Sequence, residues 1–512
     1  MRLSQAYRAS CLAPKPYPAP KPRLLHTAAW IRAAAVRPDT LDPEVDEVIK
    51  AIHATPTRLA LTVTGGGVQA ISWLLGVPGA SRTVLDVQVP YSPTALKSLL
   101  GGQAFASASS PDSVAALSQA AFQRAASLTA LGTPVAGLAC SAALGTDRVR
   151  RGEDRVYIAA HGTGGRASFS LVLDKAAPRP RWAQDAVASR LLIHAAALSC
   201  GLPVPEGDLA RRWLRLEPGD VLESGRPQPP PTLRQALQSL GRGEITSVEA
   251  GLGPVTAGAP RGGRLYLPGS FNPLHAGHTA MLQAAQSLCP QLEGCYELST
   301  GNADKGLLLV EEVERRVRHF EEARLPVVLT QAPLYAQKAR LFPGSVFVIG
   351  YDTAIRLLDP KYYGSREDML LQLDRLGTSG CSFLVAGRLD TQTQQFMRPE
   401  DLAVPPQLKV WRRWWDRPPG HEAGVDRHTC PGTEDWGPSS KSGVGVDDGR
   451  LEAQCPGPDA VVMTEHASHP SHPPKRPFLT LPCHPQPLFR SIPESLFRAD
   501  ISSTQLRAQG AC

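Results

Sequence analysis

The chain lacks several features that would narrow its class at once. Its ten cysteines include no C-x-x-C pair and follow no regular spacing. Neither a disulfide framework nor a zinc site is therefore indicated, no metal ligands are assigned, and a reducing compartment fits best. No apolar run looks long enough to span a membrane. A basic stripe is missing too. The formal net charge is +7, and Arg2, Arg8, Lys15, Lys21, Arg23, Arg32 and Arg37 all precede the first acid, Asp39. The remainder is neutral overall, a poor electrostatic footprint for DNA or RNA. The basic leader, residues 1–40, acid-free as far as Asp39, reads either as an organellar transit peptide or as a disordered tail. Cytoplasm, mitochondrion and chloroplast all stay open.

What is present suits a two-domain globular chain. Its 512 residues are ample for two cores, and 42% apolar with 20% charged residues is ordinary composition. The informative stretch is central. Arg264 to Leu267 reads as a short strand, Pro268 and Gly269 break it, and Thr279 to Leu288 is apolar at helical spacing. Between them runs Gly269-Ser270-Phe271-Asn272-Pro273-Leu274-His275-Ala276-Gly277-His278, which puts His275 and His278 on one face at a helix start.

A helix N-terminus offers unpaired backbone N–H groups and the positive end of a dipole, so anions bind there readily. Two imidazoles add donors, and Gly269 and Gly277, with no Cβ, let a polyphosphate approach the backbone. In isolation the pair equally suits plain helix capping. A second element is the carboxyl-terminal Asp500-Ile501-Ser502-Ser503-Thr504-Gln505-Leu506-Arg507. Its hydroxyls open a helix, and Arg507 lies one turn from Ser503 on the same face. A guanidinium there grips phosphate oxygens through two donors. Together the two elements point to phosphate chemistry.

These residues resemble the H-x-G-H nucleotidyltransferase family, in wording closest to the nicotinamide-nucleotide adenylyltransferases. Val346-Phe347-Val348-Ile349-Gly350-Tyr351-Asp352-Thr353 is similar to that family's strand ending in G-x-D. The resemblance spans roughly 264 to 390 and 478 to 507 and implies a Rossmann-like, doubly wound α/β domain binding ligand across its strand ends. It also implies in-line transfer of a nucleotidyl group, adenylyl from ATP, to a phosphate-bearing acceptor, with Mg2+ carried mainly on the substrate phosphates. By the same resemblance His275 and His278 stabilise the reacting phosphates, while Ser502, Ser503, Thr504 and Arg507 hold the outgoing pyrophosphate. Gly269, Ser270 and Phe271 wrap the acceptor and α-phosphate; Gly350 and Asp352 border the nucleoside.

The acceptor is open. The Trp-Glu pair that often marks nicotinamide mononucleotide users is missing between Leu325 and Arg340, and Asp304 and Lys305 read either as acceptor contacts or as a surface ion pair. Nicotinamide or nicotinate mononucleotide leads, with pantetheine phosphate and phosphocholine-type acceptors beside it. The other partners expected are a nucleoside triphosphate and, as an open question, further copies of this chain.

The amino-terminal half, 45–202, orders its elements differently. Thr57 to Val63 reads as a strand, Thr64-Gly65-Gly66-Gly67 as a tight turn, 68–75 as a buried helix, then comes an alternating strand to Val89 and a helix after Tyr91-Ser92. With Gly137-Leu138-Ala139-Cys140-Ser141 and Asp154 to Ala159, this resembles the CinA carboxyl-terminal domain, whose active members remove the amide from nicotinamide mononucleotide. Those members carry an acid-serine-cysteine run and a lysine where this chain has Leu61-Thr62-Val63 and Leu96. A threonine without an activating neighbour is a poor nucleophile, so the domain reads as a non-hydrolysing relative. An amidohydrolase acting through Thr62, or an inactive nucleotide-binding protein, is the alternative. Pro- and Gly-rich 203–262, around one short amphipathic helix from Thr232 to Leu240, reads as a linker, 263–404 as the first part of the second domain, 405–477 as a disordered insertion and 478–512 as the closing phosphate motif. Prolines among His466, His469 and His472 argue against a metal site there.

Overall fold

The computed structural model describes residues 41–103, 105, 107–148, 151–302, 306–390, 395–409 and 488–498. The chain divides into two compact units near residue 230, with 130–132 belonging to the second. Both are mixed α/β.

The first unit comprises α1 (Pro43–Ala54), β1 (Arg58–Thr64), α2 (Val68–Gly76), β2 (Val84–Gln88), α3 (Pro93–Leu99), α4 (Pro111–Ser127), β3 (Val135–Ala143), β4 (Asp154–Gly162), β5 (Gly165–Leu173), α5 (Arg181–Ser199), α6 (Gly207–Leu214) and β6 (Val221–Ser224). Its sheet runs β2-β1-β3-β4-β5-β6. The β1 strand is parallel to both β2 and β3, and the pairings from β3 to β6 are antiparallel. The β1 strand is buried on both faces, as a central strand should be. The 68–75 helix forms as α2 but is not buried throughout: Ala70 and Leu74 face the core, while Val68 and Leu75 are 47% and 53% exposed.

The second unit comprises α7 (Leu233–Gly241), the short strands β7 (Ser247–Ala250) and β8 (Thr256–Ala257), β9 (Leu265–Pro268), α8 (Ala276–Leu288), β10 (Gly294–Ser299), the ribbon β11 (Gly301–Asn302) and β12 (Gly306–Leu307), α9 (Val310–Ala323), β13 (Val327–Thr330), α10 (Tyr335–Leu341), β14 (Val346–Gly350), α11 (Tyr351–Leu357), α12 (Arg366–Thr378), β15 (Ser382–Ala386), the ribbon β16 (Arg388–Leu389) and β17 (Phe396–Met397), and β18 (Phe489–Ile492). The large sheet runs β18-β15-β14-β9-β10-β13-β7-β8. From β18 to β13 every pairing is parallel. Taken in chain order, those six strands lie 3-2-1-4-5-6, the doubly wound arrangement. Leu265 and Leu267 pack on one face with Leu282 of α8 and Phe320 of α9. Tyr266 points to the other, with Phe342, Ala354 and Leu373. The strand pleat thus divides β9 between two cores.

The stretch 203–262 holds the expected amphipathic helix, as α7, and strands besides. It supplies β6, which pairs with β5, and the β7–β8 hairpin, which extends the second sheet beyond β13. Its prolines and glycines punctuate strands too short to register as periodicity. Pro406–Lys409, inside the expected insertion, form one helical turn. The rest of that insertion, the leader, Asp304 and Lys305, the histidines at 466, 469 and 472, and Ser502, Ser503, Thr504 and Arg507 lie outside the described residues.

Candidate functional site

In a doubly wound sheet ligands enter where strand order reverses, at the carboxyl ends of the first and fourth strands. Here those are β9 and β14, paired through Val346–Leu265 and Phe347–Tyr266. The loop 269–275 leaves β9 at this point. Its first residue is tied to the sheet, the Gly269 N–H donating to the Glu297 carbonyl of β10 at 3.0 Å.

Two arginines of α9 hold the loop from one side. Arg316 Nη1 donates to the Ser270 carbonyl at 2.8 Å and Arg315 Nη2 to Asn272 Oδ1 at 2.6 Å. Both also grip Glu312, one turn back, at 2.7 to 2.9 Å. Hydrogen bonds from Arg315, then Arg316, hold that carboxyl down at about 2 against its burial. The clamp is charge-assisted throughout.

The helix start is built from imidazoles. His275 is the N-cap of α8, its Nδ1 accepting from the Gly277 N–H at 3.1 Å, and His278 Nδ1 accepts from the His275 N–H at 3.3 Å. This is a reciprocal capping box. Because each Nδ1 accepts, the proton of each neutral ring sits on Nε2. The rings lie 3.8 Å apart, centroid to centroid. Burial lowers the pKa of both, and burial together with the neighbouring His275 brings His278 to about 4. At neutral pH the pair therefore presents uncharged N–H donors.

Two of the loop residues also have packing roles. The Phe271 side chain is fully buried, edge-on to Tyr296, Phe320 and His278 at 5.5, 5.1 and 5.0 Å, which leaves its backbone as the part that can face a ligand. Its φ of 43° is uncommon for a residue with a side chain, and that packing holds it. Phe271 positions His278 from behind. Gly269 is required by the same ring, since a Cβ there would stand 2.7 Å from it. Gly350 ends β14 and caps α11, while Asp352, about half exposed, is ion-paired with Arg388.

Beside the loop lies a cavity of about 660 Å³, reached by Gly269, Ser270 and Asn272, by Arg316, and by Thr353 and Arg356 of α11. Its floor holds Glu297 and Lys338 and its wall Tyr335, Tyr362 and Tyr363. The imidazoles sit outside that lining. The sequence reading missed Arg315, Arg316, Glu297 and Lys338. The i,i+4 spacing of Glu312 and Arg316 signals a helix pair, but nothing local shows that it faces the 269–275 loop.

In the first unit the Gly-rich turn leads to a different end. Gly65 and Gly67 have φ of 77° and 86°, and a Cβ on Gly65 would stand 1.9 Å from the Ala142 carbonyl oxygen. The start of α2 is already taken by a carboxylate of the chain. Asp185 accepts from the N–H groups of Gly67, Val68 and Gln69 at 2.7, 3.2 and 3.1 Å. Thr62 is buried within β1.

The fold thus defines a two-unit mixed α/β protein whose second sheet is doubly wound. No family model matches the chain, and no curated protein matches it. Among solved structures it is similar to a competence-damaged protein (CinA) superfamily protein from Klebsiella pneumoniae, at 18% identity and a TM-score of 0.26, covering 31% of this chain and 96% of that one. It is similar to a competence or damage-inducible protein from Enterobacter asburiae at 17% identity and 0.25, covering 31% and 96%. A third is the competence/damage-inducible protein CihA from Agrobacterium tumefaciens, at 16% and 0.22, covering 32% and 93%.

Proposed function

We propose that the second unit is a nucleotidyltransferase joining the adenylyl group of ATP to the phosphate of a pyridine mononucleotide. The observation that carries this reading is the position of the 269–278 loop: it leaves the first strand at the switch point and ends in two capping imidazoles. In the reaction, an acceptor phosphate oxygen attacks the α-phosphorus, the bond to the bridging oxygen of the β-phosphate breaks, and pyrophosphate leaves with that electron pair. No covalent enzyme intermediate forms. The protein supplies alignment and donors aimed at oxygens that gain charge.

Nε2–H of His275 and His278 are such donors. Being neutral, they take up no counter-charge before substrate arrives, and a bound phosphate raises their pKa. Arg316 and Arg315 keep Ser270 and Asn272 in place along the acceptor side. Ser502, Ser503, Thr504 and Arg507 are assigned the leaving pyrophosphate. These donors suit phosphate oxygens rather than a cation, so magnesium would travel on the triphosphate and neutralise the leaving group.

Two observations weigh against the amidohydrolase alternative in the first unit: Thr62 is buried, and the helix start beside it is occupied by Asp185. A pyrophosphate-release screen of each nucleoside triphosphate against nicotinamide and nicotinate mononucleotides, phosphopantetheine and phosphocholine tests the proposal. Release with ATP and a pyridine nucleotide is expected. Release with no combination, or ammonia from nicotinamide mononucleotide that disappears in Thr62→Ala, would overturn it.

A further inference from the structure

The cavity floor carries a charge pair that the phosphate chemistry does not use. Glu297 lies on β10 at the register of Pro268, fully buried, and Lys338 on α10 is 3% exposed. Lys338 Nζ donates to both carboxylate oxygens, at 2.8 and 2.7 Å, and Thr330 Oγ1 donates to Oε1 at 2.6 Å. Both charged residues line the cavity. A buried ion pair is a poor device for stability alone, since apolar side chains of like volume generally serve as well.

It is a good device for reading a polar group. An ammonium has three N–H donors, and among the described residues two are spent on Glu297. Among the described residues Oε2 accepts one hydrogen bond where Oε1 accepts two. The floor therefore offers one donor and one acceptor side by side at zero net charge. A primary carboxamide is their complement: its carbonyl accepts from Lys338 and its NH2 donates to Glu297. A carboxylate in the same place has no proton to give and meets the charge of Glu297. The Tyr335, Tyr362 and Tyr363 wall suits a flat ring carrying that group.

We infer that Glu297 and Lys338 determine acceptor specificity, selecting a ring that bears a neutral carboxamide over the same ring bearing a carboxylate. This rests on the nucleotidyltransferase reading. The test compares kcat/KM for nicotinamide and nicotinate mononucleotides, by pyrophosphate release, in the full-length protein, in Glu297→Gln and in Glu297→Gln/Lys338→Met. The unaltered chain should prefer the amide. Glu297→Gln leaves the ammonium facing the ligand, so the amide-to-acid ratio should swing toward the acid by roughly 10- to 100-fold, mainly through KM. The double variant, with a neutral floor, should discriminate weakly, and it carries the test if the single variant fails to fold. Parallel losses for both acceptors, or an unmoved ratio, would mark the pair as structural and overturn the inference. Release with only non-pyridine acceptors would overturn it while leaving nucleotidyl transfer standing; release with none would remove the transferase reading itself.

Discussion

His278 has two separable tasks, and replacing it by alanine or by asparagine tells them apart. Its Nδ1 closes the capping box on the His275 N–H at 3.3 Å, a long hydrogen bond, and losing such a cap costs about 1 kcal/mol. Its ring also packs against the edge of Phe271 at 5.0 Å. His278→Ala should therefore lower stability by about 1–2 kcal/mol, too little to unfold a domain of this size. In the proposed reaction its Nε2–H, by contrast, serves as a preorganised donor to the reacting phosphates, and removing one such donor costs about 3 kcal/mol of barrier, on the order of a hundredfold in kcat. Asparagine can accept the His275 N–H as Nδ1 does but cannot reach where Nε2–H stands. His278→Asn should regain the melting temperature and not the rate. Thermal unfolding and steady-state pyrophosphate release on the same preparations make the comparison. A His278→Asn variant that recovers activity along with stability would show that the imidazole only caps α8, and the catalytic assignment would fail.

Acid should weaken the fold in a defined window. Burial holds His161 at about 3 and, with His275, His278 at about 4, whereas the unfolded chain takes up these protons near 6.5. Their contribution is complete above pH 6.5 and is lost as pH falls toward 4 and 3; by pH 5 each costs about 2 kcal/mol, read as a lower denaturant midpoint than at pH 7. Gly269→Ala drives a Cβ into the Phe271 ring and should cost about 1–3 kcal/mol in chemical denaturation while also slowing turnover through His278; unchanged stability would contradict the packing. Arg316→Met keeps the stem but frees the Ser270 carbonyl. It should raise KM for the acceptor by about tenfold, the loss of one charge-assisted hydrogen bond, and an unchanged KM would remove Arg316 from the loop clamp.

Much of the second sheet was legible because its elements announce themselves locally. Thr279 to Leu288 repeats at helical spacing and Pro268-Gly269 stops a strand, so β9 falls within a residue of expectation and α8 ends where expected and starts three residues before that repeat. Strand order was not legible, because it depends on pairings such as Val346–Leu265 that no local pattern encodes. The strands within 203–262 were hidden for the same reason: Val221–Ser224 and Ser247–Ala250 are four residues each and become strands by pairing with β5 and β13. Within the loop, residue type and spacing located the imidazoles, yet could not show that Phe271 turns inward. The Glu297–Lys338 pair joins positions 41 residues apart. Only the fold brings them together.

The most direct measurement follows the phosphorus. With ATP labelled at the α-phosphate and nicotinamide mononucleotide as acceptor, the account predicts that the label moves into a dinucleotide while unlabelled pyrophosphate is released in equal amount. Label recovered as AMP or ADP, or left wholly in ATP with every acceptor offered, would contradict nucleotidyl transfer at the 269–278 loop.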